Sequence, residues 1–182
     1  QSGIMSFIFA LILLMVYMIS VYGVVPGLIA NGGLICNMFF TLGVLASFQA
    51  VLTLSGIAGL VLSLGMAVDA NVLIFERSKE ELRLGKNLKS AITDGYKNAF
   101  SAIFDSNLTS VITGIILFFF GTGPIKGFAT TLIIGIIMSF FTAVFLTRLV
   151  FEKGLEKGWF KNLTFTTSLT KNLLAHPNIN FL

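Results

Sequence analysis

Charge is what this chain has least of. Only 11% of its 182 residues are Asp, Glu, Lys or Arg, where soluble domains carry roughly 25%, so an ordinary water-soluble globule is excluded. Cysteine occurs once, as Cys36 inside an apolar run. That excludes a disulfide within the chain and reads as a small buried residue, not a reactive thiol. The one histidine, His176, lies in a polar tail and reads as solvated, so no zinc-type Cys/His cluster can form. Neither a glycine-rich phosphate loop nor a nucleophile beside a base is present. The expectation is therefore no enzyme, no hydrolytic site, no ATP binding, no metal and no cofactor. Proline, with three occurrences, leaves long helices uninterrupted.

What the chain has in excess is apolar surface: 55% hydrophobic residues, 19 Phe, 18 Gly and a mean hydropathy of +0.94. One core of this size cannot hide so much of it, so the solvent is lipid. The pattern predicts an all-α polytopic membrane protein with five spans, at about 4–25, 28–52, 54–75, 99–120 and 128–151. Pro26-Gly27 is expected to end the first span, and Gly121-Thr122-Gly123-Pro124 the fourth. Apolar residues at helical spacing between 80 and 97, with lysines opposite, predict a helix lying on the membrane surface. Residues 153–182 read as a tail or linker, with Trp159 as an interfacial anchor.

The net charge of +4 belongs to loops beside apolar spans and points to membrane orientation, not to nucleic acid. Arg77, Lys79, Arg83, Lys86, Lys89 and Lys97 lie between spans three and four. Arg148, Lys153, Lys157 and Lys161 close or follow span five, whereas the opposite loops hold only Lys126. The positive-inside rule makes the clustered side cytoplasmic and puts the N-terminus outside. The chain opens at Gln1 in mid-pattern, which leads us to expect an upstream helix and an external domain.

Helices in lipid associate through small residues. Span five carries an unbroken ridge of them, Gly127, Thr131, Gly135, Ser139, Ala143 and Thr147, and span three carries Ser55, Gly59, Ser63, Ala67 and Asn71. Gly59, Gly65, Gly127, Gly135 and Ser139 are the expected packing positions. Asp69 shares its side of span three with Ala58, Leu62, Gly65, Val72 and Glu76, and Asn71 points nearly opposite. Asp105 on span four lies in a strip with Ser101, Thr109 and Thr113, beside Ser106, Ser110 and Gly114, and Asn107 adds a further polar group. Such polarity suits the centre of an assembly better than lipid. An ionised Asp at a helix centre costs about 2.5–3.5 kcal/mol on the insertion scale. Asp69 and Asp105 are thus candidate proton-coupling residues, with Asn71, Asn107, Thr109 and Thr113 in support. The competing reading is a hydrogen-bonded aspartate that only tethers helices, and for Asp105 the neighbouring hydroxyls could satisfy it locally. Residues alone take the reading as far as a proton-coupled transporter or motor.

Residues 52–77 read LTLSGIAGLVLSLGMAVDANVLIFER, and residues 99–129 read AFSAIFDSNLTSVITGIILFFFGTGPIKGFA. Together they resemble the SecD family of bacterial protein-export membrane proteins, over about Ile4 to Phe151. The sequence departs from the family pattern at Ser55, where proline is common, at Ser78, where an aliphatic residue is usual, and at Ser106, where the family reads DAN. Tyr22-Gly23-Val24 also lacks the basic residue often found there. The resemblance implies an RND-type half-bundle that pairs with SecF, separate or fused, in the bacterial inner membrane. It implies use of the proton-motive force to help polypeptides through the SecYEG channel, with YajC and YidC as further partners. Asp69 matches the family's functional intramembrane aspartate, and Asp105 the acidic position of the second signature. The tail's end, NINFL, looks like a linker towards a SecF half. Two alternatives stand beside this: half of an RND-type exporter of small molecules or lipids, and a structural scaffold for a partner channel.

Overall fold

The computed structural model describes residues 2–48, 53–160, 163 and 165–167. All regular structure among them is helical: α1 Ser2–Tyr22, α2 Val24–Ser47, α3 Leu54–Arg83, α4 Leu88–Phe120, α5 Pro124–Phe141 and α6 Thr147–Glu156. A π-helical turn, Thr142–Leu146, joins α5 to α6 in one continuous rod. Five helices are long and apolar enough to cross a membrane, as expected. They run antiparallel in turn. One end of the bundle gathers the α1–α2 turn, the α3–α4 turn and the end of α6, and it holds nearly all the charge.

The helix ends follow local chemistry. Thr53 Oγ1 accepts the Gly56 amide at the start of α3, and Asn87 Oδ1 accepts the Ser90 amide at the start of α4. The break between α1 and α2 is not at Pro26-Gly27, as the sequence suggested, but at Gly23, whose φ of 94° only glycine adopts freely. Pro26 then sits in the first turn of α2, where its missing amide hydrogen costs no bond. The segment 80–97 is likewise not a separate surface helix. α3 continues to Arg83, the chain reverses through Gly85 at φ 87°, and α4 then runs unbroken for 33 residues, a length of about 50 Å against a hydrocarbon core of about 30 Å. The apolar stripe expected to lie on lipid, with Ala91, Ile92, Tyr96 and Ala99, is instead buried inside the bundle.

That hairpin is tightly tied. A Cβ at Gly95 would run into the backbone of Ser78 at 2.8 Å, and Asn98 Nδ2 donates to Glu81 Oε1 at 2.8 Å. Lys86 bridges Glu81 and Asp94, the latter at 2.7 Å. The hydrogen bond to Asp94, and then that to Glu81, holds the Lys86 ammonium above its ordinary value. The bridge is therefore intact at neutral pH, and on the alkaline side it is lost as pH rises through that raised value.

The two small-residue ridges pack against each other. A side chain at Gly59 would strike Thr131 Oγ1 and the Phe128 carbonyl, one at Gly135 would strike Ser63, and one at Gly127 would meet Thr53 Oγ1 at 2.8 Å. Ser139 is fully buried. Gly65 is the exception: nothing lies within 4 Å of its would-be Cβ, so it is not a packing position within this chain. Cys36 is only half-buried, in contrast to the small buried residue expected.

At the charged end Tyr22, Phe75, Phe151 and Phe165 form a set of ring contacts, with Phe75–Tyr22 and Phe75–Phe165 centroids each 5.3 Å apart. Leu163 and Phe165 are buried there, and Thr167 Oγ1 donates to the Ser20 carbonyl at 2.8 Å. The start of the expected tail is thus part of the core. His176 and the NINFL segment lie outside the described residues. Trp159 is exposed at the end of the rod and packs its ring on the Lys157 ammonium, 5.2 Å away, as suits an interfacial anchor.

Overpacking a close helix contact costs about 1–3 kcal/mol. Gly135→Leu is therefore expected to lower the thermal unfolding midpoint of the solubilised chain by several degrees. Gly32→Leu, where nothing lies within 4 Å of the added Cβ, is expected to leave it unchanged. Circular-dichroism melts in the same detergent decide it, and equal melting of the two variants would refute the seam.

Candidate functional site

α3 has two chemically distinct sides. Ser63, Ala67 and Asn71 are buried in the bundle, while Asp69, about 200° round the helix from each of the last two, is exposed together with Ala58, Leu62 and Glu76. The opposition of Asp69 and Asn71 expected from periodicity is what the structure shows.

Asp69 stands on a ridge between two concavities. On one side is an apolar groove of about 610 Å³ between α1 and α3, lined by Leu13, Tyr17, Gly65, Met66 and Val72 among others. On the other is a smaller, more enclosed cleft of about 160 Å³ between α3 and α4, lined by Met66, Ala70, Leu73, Ile103, Ser106 and Asn107. The carboxylate lines both, and it makes no hydrogen bond or ion pair with any described residue.

Asp105 is also exposed and without such a partner among the described residues, but it does not line the cleft. The hydroxyls around it do not satisfy its carboxylate, contrary to the local reading above. Thr109 Oγ1 donates to the Asp105 backbone carbonyl at 2.8 Å, Thr113 Oγ1 to the Thr109 carbonyl at 3.0 Å, and Ser110 Oγ to the Ser106 carbonyl at 2.9 Å. Each hydroxyl closes onto its own helix, the cheapest bond available to it in lipid. The polar strip of α4 points away from the rest of the chain, so the centre it was expected to occupy is not inside this bundle.

The supporting residues divide. Asn107 is buried beside the Asp69 cleft, with Nδ2 donating to the Ile103 carbonyl at 2.7 Å and Oδ1 without a partner. Asn71 is buried on the far side of α3, also with an unpartnered Oδ1. Thr109 and Thr113 are exposed on the outer strip. The structure thus joins Asp69 to Ser106 and Asn107 across the cleft, and it brings neither Asn71 nor Asp105 into that site.

One bond has no counterpart in the sequence reading. Tyr96 Oη lies 2.7 Å from Thr147 Oγ1 in the buried core. Because the Thr147 hydroxyl donates to the Ala143 carbonyl, the phenol is the donor. This bond ties α4 to α6 directly after the π-helical turn. Tyr96 falls on the apolar stripe of 80–97, and its polar tip was the available signal for a buried partner.

Residues 1–155 match the family described as the protein export membrane protein SecD/SecF, C-terminal. The chain belongs to that family. It is 53% identical over 152 residues to the protein translocase subunit SecD of Rhodothermus marinus, covering 84% of this chain and 24% of the relative. The same identity holds over 152 residues with SecD of Desulfurispirillum indicum, covering 84% and 29%. The crystal structure of SecDF, a translocon-associated membrane protein from Thermus thermophilus, superposes with a TM-score of 0.83 at 41% identity, covering 87% of this chain and 22% of that one. The chain therefore spans about a quarter of the length of these relatives. The resemblance read from residues 52–77 and 99–129 is that of SecD, and the helical bundle is the SecDF-type membrane fold.

Because neither aspartate has a partner to lose among the described residues, Asp69→Asn and Asp105→Asn are each expected to change stability by no more than about 0.5 kcal/mol. That corresponds to about 2 °C or less in the melting midpoint. Thr147→Val, which orphans the Tyr96 hydroxyl in the core, is expected to cost about 1–3 kcal/mol. Thermal melts of the three solubilised variants test this ranking. A large loss in Asp69→Asn would reveal a tether where the structure shows an open carboxylate.

Proposed function

We propose that this chain is a membrane subunit of the Sec protein-export machinery. In this reading it uses the proton-motive force to assist polypeptide translocation, with Asp69 as the coupling residue. The observation that carries it is the Asp69 carboxylate, unpartnered and lodged between groove and cleft on the open side of α3, in a chain of the SecD/SecF family. A carboxylate in lipid is strongly biased towards its neutral form unless something compensates it. Gaining or losing its proton therefore changes which surroundings it tolerates. A charge moving through the membrane field gains about 2.3 kcal/mol per 100 mV, enough to bias two packings of a helical bundle.

The outward polar strip of α4 and the open side of α3 suit a homologous SecF half, separate or fused, as the covering partner. The wider partners are the SecYEG channel, the translocating chain, YajC and YidC. The membrane is the bacterial inner membrane. The charged end, with Arg77 to Lys97 and Arg148 to Lys157, faces the cytoplasm, and Ser2 lies towards the periplasm. Asp105 serves as a second titratable group facing the partner. The chain acts by protonation and helix movement, as a translocation component and not a hydrolase.

In energised membrane vesicles from cells making the protein, Asp69→Asn at normal expression is expected to remove most of the protonophore-sensitive part of export. Asp105→Asn is expected to reduce that part by a smaller factor. Export by Asp69→Asn with undiminished protonophore sensitivity would demote the residue to a bystander and bring the scaffold reading forward.

A further inference from the structure

The cleft between α3 and α4 brings together three oxygen groups, from Asp69, Ser106 and Asn107. Ser106 Oγ gives its hydrogen to the Ile103 carbonyl at 3.1 Å, which leaves its lone pairs available. One N–H of Asn107 Nδ2 goes to the same carbonyl, and flipping the amide would set oxygen against oxygen, so Oδ1 is the acceptor left without a partner. When ionised, the Asp69 carboxylate supplies acceptors and no donor. Buried acceptors require donors, and no described side chain provides one to Asn107 Oδ1. The cleft, at about 160 Å³, has room for water and offers it the two to four polar partners that an ordered water needs.

From this convergence of acceptors we propose that Ser106 and Asn107 complete the Asp69 site by binding a protonated water, so that Asn107 is a positioning residue for proton loading. The inference rests on the coupling role given to Asp69 above. A hydronium carries three O–H donors, one each for Asp69, Ser106 Oγ and Asn107 Oδ1. The proton passes from this ion to an Asp69 oxygen, the O–H bond of the hydronium breaks, and neutral water is left in the cleft. The new carboxylic acid is then itself a donor, and that water can accept from it while still donating to Asn107 Oδ1. Acceptor demand is thus met in both states. Asn71, on the buried side of α3, and Thr109 and Thr113, on the outer strip, have no part in this site.

The other titratable groups facing Asp69 are few. α1 offers Tyr17 across the groove, α3 itself carries Glu76 two turns on, and α4 offers Asp105 outside the cleft. α5, packed on the opposite side of α3, has only Lys126, at its far end.

The test compares Asn107→Leu, Asn107→Gln, Ser106→Ala and Asp69→Asn in energised vesicles. It reads gradient-driven export against pH, together with the infrared carboxyl band that Asp69→Asn removes. Asn107→Leu keeps the branching of the side chain and deletes the unsatisfied oxygen together with an amide whose one bond goes to a carbonyl of its own helix, so its melting midpoint is expected to change little. Its gradient-driven export is expected to fall about tenfold or more, with a displaced pH profile and a shifted carboxyl band. Asn107→Gln, which keeps an acceptor, is expected to recover most of the export. Ser106→Ala is expected to show a smaller loss with the same displacement, and it serves as the readout should Asn107→Leu fold poorly. If Asp69→Asn abolishes coupling while Asn107→Leu and Ser106→Ala keep the wild-type profile and band, the cleft assignment is wrong and the coupling role stands. If Asp69→Asn itself has no effect, the coupling role falls, and this inference with it. Restoration of export in Asn107→Leu by sodium at fixed pH would overturn the hydronium in favour of an alkali cation.

Discussion

The seam between α3 and α5 determines where every other group can be. Gly59 against Thr131 and Ser63 against Gly135 bring two backbones closer than any larger side chains would allow. In lipid, where no hydrophobic force draws helices together, this close fit is what holds the pair. It also fixes the rotation of α3. With Ser63, Ala67 and Asn71 turned into the bundle, helical geometry turns position 69 out of it. The seam thus keeps the one acidic side chain of the α3 span open to whatever covers that side.

Polar groups in this bundle fall into two kinds. The hydroxyls of Thr109, Ser110, Thr113 and Thr130 are closed onto carbonyls four residues back, at 2.8–3.0 Å, and need nothing from elsewhere. The carboxylates of Asp69 and Asp105, and the carbonyl oxygens of Asn71 and Asn107, cannot be closed this way, because each needs a donor that its own helix has already used. Elsewhere among the described residues, Asn37 Nδ2 and Ser78 Oγ are also buried without a hydrogen-bond partner. Composition could not make this distinction, since Ser, Thr, Asn and Asp all read as polar residues within apolar runs.

What the sequence disclosed and what it withheld separate along the same physical line. Helix existence, the ridges at every fourth residue and the opposition of Asp69 to Asn71 depend on periodicity within one helix, and all three were legible. Features that depend on contact between helices were not. The stripe Ala91, Ile92, Tyr96 and Ala99 looks the same whether it meets lipid or the α3–α6 interior, so α4 was split where it in fact continues. Pro26 was read as a break because the tolerance of proline in a first helical turn depends on where the preceding turn falls, and Gly23 decided that. Gly65 matched the small residues of the seam in type but lies on the wrong side of α3. The inclusion of Leu163 and Phe165 in the core left no periodic trace at all. The pairing of Asp69 with Ser106 and Asn107 depends on how the two successive helices of the α3–α4 hairpin face each other, which periodicity within either helix does not show.

The distribution of tight contacts also says where movement can occur. The charged end is locked by the aromatic cluster around Phe75, by the Ser78–Gly95 backbone approach, by the bond of Tyr96 to Thr147 and by Lys86 between Glu81 and Asp94. Nearer the membrane centre, Asp69 is flanked instead by a groove and a cleft, and among the described residues no side-chain hydrogen bond or ion pair joins α3 to α1 or α4 at that level. The π-helical turn Thr142–Leu146 falls at the boundary between these regions, immediately before Thr147 is pinned by Tyr96. Its wider hydrogen-bond ring lets the rod bend without breaking. A force arising at Asp69 would meet least resistance in the open half of α3, and it would carry α5 along through the close seam. The locked end would stay in place, with the π-helical turn as the natural pivot. In the coupling role proposed for Asp69, neutralising that one carboxylate would change the packing of a whole helix pair, because the tight and loose contacts of the bundle are segregated along its axis.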